Sequence, residues 1–377
     1  MKLIVLAQTP PPVHGQSLMV QTLAEGLPAH GIEVHHVNLP LSRDAADIGR
    51  FRWGKLFTLL GACFRVYRIR RKFEGPITLY YVPAPAKRGA LLRDWLAMLL
   101  CRPIRGRLVL HWHAVGLGHW LETHAGFLTR SLSRFFLGRA DLALVLDDAL
   151  ATDAAFFDAR QTLIVPNGIV DPGAPPARPP RNPAEPCKLL YLAACSEEKG
   201  LFELVEAVAL AHARQPGSFR LTVAGAFASR EDEQRFRLVA AQLGSSIFYH
   251  GFAGEQAKHA LMREADIFCF PTHYPHEGQP LVLMEALAHD LPIVTTRWRA
   301  IPTMLPAAHT WIVQPGRPSL LADALFDARS SPRPGGASRR FYLENFTAGR
   351  HLATLSAALR SLDNGAEAPA EASEVGV

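Results

Sequence analysis

Ile267–Thr296 reads IFCFPTHYPHEGQPLVLMEALAHDLPIVTT, and this stretch decides the fold. IFCFP is an apolar run of strand length, THYPHEG is a loop, and PLVLMEALA continues as a helix. Pro280 suits the first turn of that helix, where a missing N–H is not needed. PIVTT is then a further apolar strand. A strand, a loop, a helix and a strand in succession make the βαβ unit of a parallel sheet.

The same alternation extends in both directions. Upstream of residue 170, KLIVLA, IEVHHVNL, ITLYYV, RLVLHWHA, LALVL and TLIVP are separated by segments of helical length. Asp171–Cys187, DPGAPPARPPRNPAEPC, holds seven prolines and no apolar period, as a linker does. Strand–helix alternation restarts at KLLYLAA and continues through RLTVAG, IFYHG, DIFCFP and PIVTT, with a helix beginning near Ser229. We therefore expect an α/β chain of two doubly wound parallel-sheet domains, residues 1–170 and 188–340, joined by a linker over 171–187. A helix over 341–362 and a disordered tail over 363–377 complete the expected organisation. Two such sheets face each other across a central cleft, and ligands bind at strand C-terminal ends.

Composition narrows the function classes. Of 377 residues, 49% are hydrophobic and 20% charged, which fits buried cores. The five cysteines are scattered with no CxxC pair, as expected of reduced thiols in a cytoplasm rather than a disulfide framework or zinc site. The apolar run after Lys2 is too short for an export signal, and no other run approaches the roughly 20 residues of a spanning helix. The net charge of +6 is uneven: Arg43–Arg107 holds fifteen Lys or Arg against four Asp or Glu, interleaved with aromatic residues. Such a stretch is either a solvated helical face or a surface for anionic lipid headgroups. No nucleic-acid-binding motif accompanies it.

The chemistry concentrates around two carboxylates. Glu277 precedes the helix, so the free amides of Gly278, Gln279 and Leu281 lie at a helix N-terminus, a favourable place for phosphate or sugar oxygens. Glu285 lies within the helix among apolar residues, where a carboxylate needs partners. Ribose hydroxyls would supply two donors. No Asp-x-Asp occurs, and no metal site is expected.

Glu277-x7-Glu285 followed by PLVLMEALAHDLPIVTT resembles the retaining GT-B glycosyltransferases of family 4 (glycosyl transferases group 1), from the VHG loop to TTRWRAIPTML. The resemblance implies that Glu277 and adjoining amides contact the donor sugar and that Glu285 holds the nucleotide ribose. SEEKG places Lys199 where the family's lysine meets the donor diphosphate. His113, at the end of RLVLHWHA, matches the family's strand-end histidine near the donor sugar, with a core histidine as the alternative. Gly15 matches one glycine of the family's first loop, and His14 stands in place of another. PNGI at Pro166–Ile169 matches the turn closing the first domain, where Gly168 permits a tight backbone and Asn167 carries no chemistry.

Two departures stand out. Ala193 and Ala194 occupy the places where the family has an arginine that shares the diphosphate with the lysine. Arg299-Ala300-Ile301-Pro302-Thr303 replaces the family's GGIPE turn, and Arg297 or Arg299 is a candidate substitute for the missing cation.

The resemblance implies a metal-independent, retaining transfer with Glu277, His113 and Lys199 at the reacting centre. Its substrates would be a nucleoside diphosphate sugar, with no further cofactor, and a saccharide or lipid-linked saccharide acceptor on the N-terminal side. The expected location is the cytoplasm, with the inner face of the cell membrane as a candidate surface. A nucleotide-sugar epimerase and a non-catalytic, nucleotide-sugar-binding partner subunit remain alternatives.

Overall fold

The computed structural model describes residues 1–40, 53–86, 88–102, 106–178, 181–182 and 184–364. KLIVLA forms β1 (Lys2–Ala7), and its side chains alternate between two apolar layers. Leu3 and Val5 enter one core, Ile4 and Leu6 another. Burial on both faces explains why the strand reads as an unbroken apolar run.

Around β1 stand β2 (Glu33–Asn38), β3 (Thr78–Tyr81), β4 (Arg107–Trp112), β5 (Leu142–Val145) and β6 (Thr162–Ile164), in the order β2-β1-β3-β4-β5-β6 with every pairing parallel. One layer contains α2 (Trp53–Arg70), α3 (Arg88–Cys101), α4 (Leu117–His124), α5 (Phe127–Leu137) and α6 (Thr152–Phe156). The opposite layer starts with α1 (Gly15–Gly26).

The second sheet comprises β7 (Cys187–Leu192), β8 (Phe219–Ala224), β9 (Ile247–Gly251), β10 (Ile267–Phe270), β11 (Ile293–Thr296) and β12 (Thr310–Val313), in the order β12-β11-β10-β7-β8-β9 and parallel throughout. Helices α7 (Leu201–Arg214), α8 (Arg230–Leu243) and α11 (Pro318–Ser330) cover one side. Helices α9 (Glu255–Glu264), α10 (Leu281–Ala288) and α12 (Ala337–Asn345) cover the other. Ser229 caps α8, its hydroxyl accepting from the Asp232 N–H at 3.0 Å. The expected pair of doubly wound sheets is present.

Two expectations need correction. The C-terminal segment is two helices, α12 and then α13 (Ala348–Asn364), rather than one over 341–362. The break falls at Phe346–Thr347, where Phe346 caps α12 with non-helical backbone. Residues 363 and 364 are helical, and the rest of the expected tail lies outside the described residues. Strand β12, TWIV, escaped the sequence reading because it is a half-buried edge strand without clear alternation.

Helix α13 also leaves the domain that precedes it. Leu355, Ala358 and Leu359 pack with Leu3, Val5, Val20 and Leu144 beneath the first sheet. The returning chain pairs with the outgoing one at the PNGI turn: Ile169 N–H donates to Phe346 O at 2.9 Å, and Ala348 N–H to Ile169 O at 2.8 Å. Gly168 is needed there because a Cβ would lie 2.4 Å from Thr347 O. Since Leu355 is fully buried, Leu355→Ala should lower unfolding stability by about 2–5 kcal/mol. In chemical denaturation followed by hydrogen exchange, the loss should fall on the first sheet rather than the second.

Candidate functional site

Strand β10 ends at Phe270, and the chain turns through Pro271–Pro280 before entering α10. Tertiary bonds hold this loop. The Trp298 indole N–H donates to Tyr274 O at 2.7 Å, the Arg299 guanidinium donates to Pro275 O at 2.9 Å, and Thr296 Oγ1 donates to Thr272 O. The loop also docks on the first domain. His276 Nδ1 donates to Val115 O at 3.0 Å, and a Cβ on Gly278 would lie 2.4 Å from His113 O.

Glu277 is buried within this loop. Lys199 Nζ donates to its Oε2 at 2.6 Å, and Thr272 Oγ1 donates to the same oxygen at 3.0 Å. Lys199 immediately precedes Gly200, the N-cap of α7, whose φ of 77° suits glycine. A cation at a helix N-terminus is opposed by the helix dipole, and the Glu277 carboxylate compensates it. The ammonium also lies 4.4 Å from the centre of the Tyr274 ring. Lys199 and Glu277 thus form one unit spanning the C-terminal ends of neighbouring strands β7 and β10.

Helix α10 opens at Leu281 with Pro280 as N-cap and no side-chain cap. Among the described residues, no protein acceptor pairs with the N–H of Gly278, Gln279 or Leu281. These donors beside an ammonium favour an anion. Gly15, the first residue of α1, comes close as well: a Cβ there would lie 3.6 Å from Leu281 Cγ.

The Gln279 side chain has a task that the sequence did not reveal. Its Oε1 accepts from Asn167 N–H at 2.9 Å, and its Nε2 donates to Leu146 O at 2.8 Å. Asn167 Nδ2 donates in turn to Gln279 O at 3.2 Å. Asn167, assigned no chemistry from sequence, fastens the two domains beside the site.

Glu285 also has an unforeseen protein partner, Lys258 on α9, whose Nζ donates to Oε1 at 2.5 Å. Lys258 bridges to Glu255 at 2.9 Å as well. Burial pushes the Glu285 carboxyl upward, against the pull of Lys258. Burial alone would lower Lys258, but Glu285 and Glu255 outweigh it and hold the ammonium charged. The only sequence signal was helical spacing in α9, which cannot name a partner 27 residues away.

His113 lies just past β4, its ring 4.1 Å from that of His111. His351, on α13, donates from Nδ1 to Pro166 O at 2.7 Å and sits close enough to both rings to disfavour their protonation. The Nε2 atoms of His111, His113 and His351 are buried with no hydrogen-bond partner among the described residues. Burial, reinforced by His351 and His14, pushes His113 down to about 3, so its imidazole is neutral near pH 7. His351 is a site neighbour that sequence reasoning missed, because it comes from the last helix.

Arg297 and Arg299 are exposed, and neither bonds to Lys199 or Glu277. Among the described residues, no group of three or more His, Cys, Asp or Glu is placed to hold a metal. The five cysteines are free and buried.

Residues 186–329 match the family described as glycosyl transferases group 1. The chain resembles the group 1 glycosyltransferases. The putative colanic acid biosynthesis glycosyltransferase WcaL of Escherichia coli K12 is 27% identical over 228 residues, covering 59% of this chain and 55% of that protein. The amylovoran biosynthesis glycosyltransferase AmsK of Erwinia amylovora is 29% identical over 146 residues, or 37% and 35% of the two chains. The chain thus spans about half or less of the length of these curated relatives.

Among solved structures, sucrose-phosphate synthase from Thermosynechococcus elongatus superimposes with a TM-score of 0.74 at 18% identity, covering 97% of this chain and 100% of that one. Anabaena Alr3699/HepE in complex with UDP and glucose gives 0.67 at 17% identity, with 96% and 100% covered. At these identities the likeness is one of fold, which is GT-B: two Rossmann-like domains.

The histidine cluster makes stability depend on pH. A histidine whose folded pKa lies below its ordinary value of 6.5 binds its proton more readily when unfolded. Stability is therefore full above about pH 6.5 and falls as the pH drops towards His113's own value of about 3. His113→Gln should flatten this slope by at most about 1.4 kcal/mol per pH unit. Urea denaturation of both proteins at pH 7, 6 and 5 checks it, and parallel slopes would contradict a neutral buried His113.

Proposed function

We propose that this protein is a retaining family 4 glycosyltransferase that moves a sugar from a nucleoside diphosphate sugar to a hydroxyl acceptor, in the synthesis of a bacterial cell-surface polysaccharide or glycolipid. One observation carries the reading: the Lys199–Glu277 pair at 2.6 Å beside the uncapped N-terminus of α10. The group 1 match over residues 186–329 covers this machinery. Relatives named for colanic acid and amylovoran biosynthesis support the polysaccharide setting.

The bond to the departing diphosphate breaks most easily where positive charge awaits it. Lys199 and the amides of Gly278, Gln279 and Leu281 provide that charge without a metal. On donor binding the Lys199 ammonium turns towards the diphosphate, which releases Glu277 to accept from sugar hydroxyls. Glu285 takes the ribose hydroxyls, with Lys258 held beside its carboxylate. Neutral His113 offers a hydrogen bond near the sugar rather than a proton. The leaving phosphate oxygen, on the same face as the incoming hydroxyl, takes the acceptor's proton, which gives retention. Gly15 stands where the acceptor-side loop meets the donor site. The acceptor, a saccharide or lipid-linked saccharide, enters from the first domain. The work is done on the cytoplasmic side of the membrane.

The test begins with a nucleotide-sugar panel screened for thermal stabilisation, since ligand at a hundredfold excess over Kd adds about 2.7 kcal/mol. With the donor so found, Lys199→Met should weaken binding about ten- to hundredfold, the range of a charge-assisted hydrogen bond. Glu277→Ala should abolish transfer while the protein stays folded, and wild-type activity should survive a chelator. NMR of the product should show the donor's anomeric configuration. Release of an epimer from donor alone, or full transfer by Glu277→Ala, would overturn the proposal.

A further inference from the structure

Exposed large hydrophobic side chains are concentrated on one face of the first domain. On α2, Phe57, Leu60, Phe64 and Tyr67 follow helical spacing along the solvent side, with Phe57 70% and Phe64 61% exposed. Helix α3 packs against both α2 and α5 and adds Leu92 and Leu99. Helix α5 adds Phe127, Leu128 and Phe135, the first of them 82% exposed. Exposed apolar groups are ordinary when single; three parallel stripes on adjacent helices are not.

The same three helices carry eight Lys or Arg and a single acid, Asp94. That acid is fully buried and is held by Arg93 at 2.6 Å and by the Tyr81 hydroxyl, also at 2.6 Å. The outward charge is therefore basic. Arg68 near the end of α2 and Arg71 and Lys72 just past it are exposed, three cations against the one exposed acid that follows, Glu74, and the Arg71 guanidinium lies 5.6 Å from the centre of the Tyr67 ring.

The location ties the face to the site. Crossover helices run antiparallel to the strands of a parallel sheet, so α2 and α3 begin at the strand C-terminal edge. That edge borders the cleft, where Gly278 meets His113 just past the end of β4. Phe57 and Leu92, early in their helices, therefore sit towards the cleft rim.

We propose that the α2–α3–α5 face docks on an anionic lipid bilayer, its aromatic and leucine side chains at headgroup depth and its basic groups among the phosphates. Charge separates this occupant from a second copy of the chain. A symmetric dimer through this face would bring two surfaces of the same basic sign together. The docking holds the cleft rim at the membrane, where a lipid-linked acceptor presents its saccharide. That use of the surface, though not the surface itself, rests on the transfer proposed above.

The test uses the full chain in vesicle flotation, with phosphatidylcholine alone and with phosphatidylcholine containing phosphatidylglycerol. Wild type should float with the anionic vesicles and much less with the neutral ones. Each basic group at such a surface contributes roughly a factor of five, so Arg68→Gln/Arg71→Gln/Lys72→Gln should weaken binding about hundredfold. Phe57→Ser/Leu128→Ser, at side chains exposed in the free protein, should weaken it about tenfold or more.

Wild-type levels of flotation by both variants, or no flotation of wild type, would overturn the proposal. So would sedimentation velocity showing a wild-type dimer that the serine variant dissociates, or capture of a soluble protein by the face with no vesicle binding. Donor-induced thermal stabilisation of the same variants is read separately. Its retention in a variant that no longer floats leaves the transfer proposal standing, and its absence in wild type leaves the docking surface standing.

Discussion

The candidate site depends on one close approach, that of the Gly278 backbone to the carbonyl of His113. A side chain at position 278 would collide with that oxygen at 2.4 Å. Glycine lets the loop after β10 lie directly on the end of β4, so Glu277 faces a surface built by both domains. Gln279 then uses both ends of its amide to satisfy Asn167 N–H and Leu146 O. Burying the polar seam therefore strands neither end of the Gln279 amide, although Asn167 Oδ1 beside it has no partner among the described residues.

Within this frame, each of the two glutamates is held by a lysine. Glu277 takes Lys199 from the turn before α7, and Glu285 takes Lys258 from α9. The pairs are not equivalent. Lys199 lies at a helix N-terminus, where the dipole disfavours it, beside amides that find no acceptor among the described residues. That arrangement suits exchange of one anion for another. Lys258 is bridged by two carboxylates, which anchors it and opposes the upward push of burial on the Glu285 carboxyl.

The chain crosses between domains twice, and the crossings support each other. The PNGI turn leads outward, Phe346–Ala348 leads back, and Ile169 bonds to both sides of the return. Helix α13 then completes the core beneath the first sheet and brings His351 to the histidines at the end of β4. The first domain is thus built from the start of the chain together with its last described helix.

Much of this was legible in the sequence. Apolar strands buried on both faces, loops rich in Gly and Pro, and helical spacing are local signals, so two doubly wound sheets followed from them. The loop–helix junction at Glu277 and the turn at Lys199 were equally local. The edge strand β12 and the break before α13 were not, because a half-buried edge and a two-residue interruption leave little periodic trace. By itself, then, the sequence determined the architecture and the placement of each chemical group on its own element. Only the tertiary structure decided which groups meet: Lys199 with Glu277 across 78 residues, Lys258 with Glu285, and Gln279 with Asn167 across 112. Secondary structure follows from interactions a few residues apart, whereas these partners are chosen by how sheets twist and domains close.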